Sequence, residues 1–182
     1  MSVRERKLAV SSDTGMSLVE LIVYIALAIL VTLGISTMFI SGVSANTSTN
    51  DRNTATGQAQ LISNSLQVGI RNASDFTVTG NLLRARVATG TSGWQCEAWA
   101  ITPTRSFVHR TSSAAIPVPG GFAGWAVLAD DVRGTLTGGQ AFAMSSTRLE
   151  ARLKITVGDT VVPLTTDAVA QAKGDGSPAT CW

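Results

Sequence analysis

The sequence predicts an α+β fold. One long N-terminal helix, apolar in its first half and amphipathic in its second, packs on an antiparallel β-sheet domain. Three observations predict it. Residues 21–40 contain no charge and no proline. Between Ala55 and Ile70 apolar residues recur at helical spacing. Beyond residue 76 the apolar period changes to two, the period of half-buried strands. A helix followed by a run of strands, with no alternation of the two, gives helix and sheet in separate layers. The 182 residues allow one soluble domain plus an anchor.

Residues 1–15 read as a polar, basic leader. Arg4, Arg6 and Lys7 lie on the N-terminal side of the apolar run, the side that the positive-inside rule assigns to the cytoplasm. Residues 16–45 form the membrane or assembly helix. Twenty residues without charge are about what a helix needs to cross a hydrocarbon core. The one carboxylate of this region, Glu20, stands among Leu18, Val19, Leu21 and Ile22. A carboxylate in hydrocarbon is costly and asks for a partner, so Glu20 is a candidate functional residue.

Residues 46–76 are expected to continue the helix. Residues 46–57 are polar, have poor helix propensity, and taken alone resemble a linker. Gly34, Gly42 and Gly57 are weak points, but no proline forces a kink. Ala55, Ala59, Ile62, Leu66 and Ile70 then share one face, and Leu61 and Val68 are expected to widen that stripe. Gly69 and Asn72-Ala73-Ser74-Asp75 supply stop signals. A helix over about 17–71 would be roughly 80 Å long at ~1.5 Å per residue.

Residues 77–182 form the β-rich domain. Leu83, Ala85 and Val87 alternate with Arg84, Arg86 and Ala88, which predicts a half-buried strand. Residues 94–101 give a second strand carrying Cys96, and 105–110 a third. Residues 111–124, with Pro117, Pro119, Gly120 and Gly121, read as loop. Residues 124–129 give a short strand and 134–139 a turn region. The clearest strand is 147–157: Leu149, Ala151, Leu153, Ile155 and Val157 face one way, Arg148, Glu150, Arg152 and Lys154 the other. Gly158-Asp159 turns the chain into a strand over 160–165, which Pro163 confines to an edge. A loop over 173–178 delivers Cys181.

A basic leader ending in Gly15, then Met16-Ser17-Leu18-Val19-Glu20, then the apolar helix, resembles the class III signal of type IV prepilins and of type II secretion pseudopilins. Met16 stands where many members have Phe. The resemblance covers residues 8–45, and the rest only in layout, which looks most like minor pilins and J-type pseudopilins. It implies a structural subunit of a pilus, a secretion pseudopilus or a competence system. It implies cleavage between Gly15 and Met16 by a membrane prepilin peptidase and methylation of the new Met16 amine. It implies that Glu20 sets axial register by facing the Met16 ammonium of a neighbouring subunit. The implied partners are other pilin or pseudopilin subunits, the prepilin peptidase and a membrane assembly platform. Without residues 1–15 the net charge falls from +2 to +1, too small to point to nucleic acid.

The search for chemistry yields little. Cys96 and Cys181 lie in the part expected outside the cytoplasm, where an even cysteine count favours a disulfide over two buried thiols. No metal or cofactor site is expected, since the only histidine is His109 and the cysteines lack ligand-pair spacing. His109 has no nucleophile placed beside it by the sequence, and no catalytic residue and no enzymatic activity are expected. Asp130-Asp131 would point to opposite strand faces and suit a turn better than an acid/base pair. Lys173-Gly174-Asp175-Gly176-Ser177 offers one carboxylate, a weak calcium ligand set. The glycine pairs 120–121 and 138–139 match no phosphate loop, and Asn46-Thr47-Ser48 and Asn72-Ala73-Ser74 fit the glycosylation triplet as short motifs do by chance. Arg148, Arg152 and Lys154, and separately Arg84 and Arg86, share strand faces that could touch DNA phosphates; Glu150 interrupts the first row, and DNA contact is the lesser reading. Trp94, Trp99, Trp125 and Trp182 are expected to pack rather than stack on bases.

The rival reading is a secreted or membrane-anchored binding or adhesin domain. Val43-Ser44-Ala45 is a small-residue site of the kind an ordinary signal peptidase cuts. Against it, the apolar run is longer than the ~7–15 residues of a signal h-region.

Overall fold

The computed structural model describes residues 17–90, 93–118, 120–172 and 181–182. The chain divides into two compact units, with the division between Ala45 and Asn46. One helix, α1 (Leu18–Arg71), runs unbroken across that point. It is helical through the polar stretch and through Gly34, Gly42 and Gly57, so neither a linker nor a loosened segment interrupts it. The main-chain carbonyl of Ser17 accepts the Leu21 amide. Glu20 in the first turn and Arg71 in the last both suit the helix dipole.

From Ala55 onward tertiary packing in the second unit holds the helix. Ala55, Ala59, Ile62, Leu66 and Ile70 are all buried. Each fully buried Ile or Leu contributes roughly 1.5–3 kcal/mol. Leu61 and Val68 do not join the stripe; they are 50% and 58% exposed, on the helix face turned away from the sheets. Gly69 does not stop the helix. It lies inside α1, and a Cβ there would overlap ring carbons Cη2 and Cζ2 of Trp99. Its function is close approach of helix to sheet.

Nine strands follow: β1 (Ala73–Thr79), β2 (Leu82–Thr89), β3 (Gly93–Ile101), β4 (Phe107–Ser112), β5 (Ala126–Ala129), β6 (Val132–Gly134), β7 (Phe142–Ser145), β8 (Arg148–Val157) and β9 (Thr160–Val169). They form two antiparallel sheets. The first runs β1-β2-β3-β4-β5; in the second, β6 and β7 pair with one side of β8 and β9 with the other. The chain changes sheet at Asp130-Asp131, where Asp131 takes a left-handed conformation (φ 45°) and its carbonyl accepts the Thr156 amide.

β1 begins where a helix stop was expected, because Ser74 and Asp75 mask the alternation of Phe76 and Val78. β7 is a four-residue strand in a stretch the sequence left unassigned. β4 starts at Phe107 instead of 105, since Arg105 is held at φ 68° in the preceding turn. β5 likewise starts at Ala126. β6 and a 3₁₀ turn (Thr137–Gly139) occupy the expected turn region. β8 keeps the expected alternation, with Leu149, Ala151, Leu153 and Ile155 buried. Gly158 at φ 55° closes the β8–β9 hairpin, and Pro163 lies on an edge strand, opposite Lys154. An edge position tolerates a residue without an N–H.

One core cluster joins the buried stripe of α1 to the inner faces of both sheets, including Trp99, Phe107, Phe142, Leu153 and Ile155. A second, smaller cluster covers the opposite face of the first sheet: Leu82, Cys96, Ala98, Ala100, Val108, Ile116, Trp125 and Cys181, with Phe122 against it. β2 is therefore buried on both faces, and Arg84 is only 8% exposed, a departure from the half-buried strand that alternation suggests.

Candidate functional site

Residues 18–43 of α1 expose seventeen large apolar or aromatic side chains, from Leu18 to Val43. None of the residues 18–50 of the helix is buried. Contiguous apolar surface of this extent marks an interaction site. The helix is long and apolar enough to cross a membrane. Its hydroxyls match such a surrounding. Thr32 Oγ1 donates to the carbonyl of Ala28 (2.7 Å), Ser36 Oγ to Thr32 (2.8 Å) and Thr37 Oγ1 to Gly34 (2.8 Å). A hydroxyl that bonds back to its own helix carries no unmet donor into hydrocarbon.

Glu20 stands exposed in the first turn, on this surface. Its Oε1 accepts a hydrogen bond from the Tyr24 phenol at 3.3 Å. No Lys or Arg occurs between residues 18 and 51, so the helix itself supplies no cation for it. Gly15 and Met16, the expected cleavage and methylation positions, lie outside the described residues, as does the 173–178 loop. Sequence reasoning missed Tyr24. The signal that could have found it is its spacing: four residues after a lone carboxylate is one turn away on the same helix face.

Cys96 and Cys181 are joined in a disulfide, with Cα atoms 5.4 Å apart and a separation of 85 positions along the chain. The bond fastens the chain end to β3. Around it the Ile116 amide donates to the Cys181 carbonyl (2.9 Å), and Arg84 Nη1 donates to the Ile116 carbonyl (3.3 Å). Arg86 sits beneath the exposed ring of Trp182, 5.8 Å from its centroid. Burial pushes the Arg84 guanidinium below its ordinary pKa.

Four of the five cations in the two basic rows make contacts within the chain. Arg148 pairs with Asp167 across the β8–β9 ladder at 2.9 Å, and Arg152 pairs with Glu150. Arg84 is buried, and Arg86 lies under Trp182. His109 belongs to the helix–sheet contact. It stacks on Trp99 (centroids 5.1 Å apart), and its Nε2 lies 3.4 Å from Glu97 Oε2. Trp99 Nε1 in turn donates to Ser65 of α1 at 2.8 Å. Gln95 donates to Glu97 at 2.7 Å. This network orients Trp99 over Gly69 and contains no nucleophile beside His109. Asp130 and Asp131 act in the turn: Asp130 accepts from Ser106 (2.9 Å), and Asp131 pairs with Arg105 (3.0 Å).

Among the described residues no three His, Cys, Asp or Glu side chains converge as a metal site. Several concavities among the described residues are open grooves. One of about 390 Å³ is lined by Asn81, Ile101, Thr102, Arg105, Val132 and Arg133, and brings no nucleophile together with a base. No family model, curated protein or solved structure matches this chain.

Proposed function

We propose that this chain is a prepilin-like structural subunit, held in the cytoplasmic membrane by the first half of α1 and assembled through it into a type IV pilus or type II secretion pseudopilus. The observation that carries the reading is the uncovered apolar helix with Glu20 as its only charge. A surface of that size stays in a bilayer or is covered by other copies of itself. Glu20 is poorly suited to a mere anchor, where it only costs energy. Between copies, a carboxylate and a neighbour's amine neutralise each other in an apolar surrounding, and because the pair forms in one register only it fixes the axial step. In this reading a prepilin peptidase cuts after Gly15 and methylates Met16, the helix side holding Arg4, Arg6 and Lys7 is cytoplasmic, and Asn46–Trp182 faces outward with its disulfide.

A second reading has one observation in its favour. The division between the two units falls at Ala45, next to the small-residue site 43–45. A signal peptidase cutting there would release the second unit as a secreted domain. Intact mass and N-terminal sequencing of the mature chain separate the two. A start at N-methyl-Met16 is expected; a start at Asn46 would falsify the assembly reading.

A further inference from the structure

Within residues 21–40 four side chains carry a hydroxyl: Tyr24, Thr32, Ser36 and Thr37. Three of them bond to backbone carbonyls of their own helix. The fourth, Tyr24, donates to a side chain, and that side chain is Glu20. A phenol suits the place: its ring is apolar enough for hydrocarbon, and its tip is polar. The i,i+4 spacing puts donor and acceptor on one face, so the contact survives any rotation of the helix about its axis.

The geometry points to Tyr24 as a positioning residue for Glu20. This rests on the assembly reading above. An untethered glutamate samples many rotamers, and docking a neighbour's amine would have to freeze them. With Oε1 held by the Tyr24 O–H, that freedom is already lost before docking. Oε2 is left to accept the amine of an adjoining copy. In the membrane, before assembly, the same phenol gives the carboxyl a polar neighbour that the lipid cannot offer.

Tyr24→Phe keeps the ring and removes only the hydroxyl. In the full-length chain in its native envelope, we expect this variant to insert and be processed normally, while its share in sheared filaments or pseudopili falls by about 10-fold, the scale of one hydrogen bond to a charged group. A second measurement reads the contact itself. Tyr24 is the only tyrosine, so tyrosine labelling gives a single ¹³Cζ resonance for the chain in bicelles. Glu20→Ala should shift that resonance, and Leu30→Ala should not. An unmoved resonance in Glu20→Ala overturns the inference. So does normal assembly of Tyr24→Phe when Glu20→Ala fails to assemble; the assembly reading then stands without it. Normal assembly of Glu20→Ala instead overturns the reading, while the resonance still decides whether the two side chains touch.

Discussion

The two halves of α1 share one unbroken helix and differ in where their apolar surface goes. From Ala55 to Ile70 the helix buries a narrow stripe against its own sheets and leaves the rest to solvent. From Leu18 to Val43 it is apolar on all sides and buries nothing within the chain. The second half is a folding element, whose burial stabilises the domain. The first half is exposed along its whole length, and its surface is available for a surrounding of lipid or protein. Helical periodicity alone does not tell them apart; the width of the apolar stripe does.

The largest expected effect follows from placing one charge in each half. Leu66 is fully buried in the main core. Leu66→Asp puts an unpaired carboxylate there, and we expect the domain to lose more than ~4 kcal/mol and fail to fold. Leu30→Asp, at the middle of the apolar run, should leave the thermal midpoint of the β-domain in detergent unchanged. It should instead release the chain from membranes on carbonate extraction, since a central Asp raises insertion free energy by roughly 2.5–3.5 kcal/mol. Equal damage to the domain midpoint from both variants would dissolve the distinction.

A smaller effect concerns the domain alone. Cys181→Ser opens a crosslink between positions 85 residues apart. The chain-entropy model gives such a closure about 4 kcal/mol, and removal of a native disulfide typically costs about 2–5 kcal/mol. Urea titration should show that loss, with Trp125 fluorescence changing first, because Trp125 belongs to the small cluster that Cys181 completes. Membrane extraction should be untouched. If membrane retention changed along with stability, the two halves of the helix would not be independent.

How far the sequence carried depends on whether a signal was local. The buried stripe was legible because five residues at i, i+4, i+7, i+11 and i+15 have no other common face. β8 was legible because its alternation runs ten residues. The edge position of β9 followed from Pro163, and the pairing of Cys96 with Cys181 from there being two cysteines only. What stayed hidden depends on contacts distant in sequence. Leu61 and Val68 look like stripe residues until the sheets define the stripe's width. Arg84 looks solvated until Ile116, Trp125 and Cys181 cover that face of the sheet. At the candidate site, Glu20 stood out as a lone charge in an apolar run, whereas Tyr24 passed as one more aromatic residue.

Gly69 shows the same limit and supplies the finest test of the contrast between the two halves. Read along the chain, it is a helix breaker near a helix end. In the fold it is the residue that lets Trp99 lie against α1, with the Trp99 indole held by Ser65 from one side and stacked on His109 from another. The ring cannot retreat without breaking that hydrogen bond and that stack, so a methyl at position 69 has to be accommodated by strain. We expect Gly69→Ala to cost about 1–3 kcal/mol, the usual range for overpacking. Gly57 lies on the same helix in the same unit, with open space where its Cβ would be. Gly57→Ala should therefore stabilise the domain, by roughly 0.5–1 kcal/mol, through helix propensity. Gly34 also has open space, but it sits in the apolar half, so Gly34→Ala should leave the domain midpoint where it is. One substitution at three places on one helix thus gives a loss, a gain and no change. Calorimetry of the three variants in detergent reads all three signs, and a destabilised Gly57→Ala would mean that the outer face of α1 in the second unit is not free.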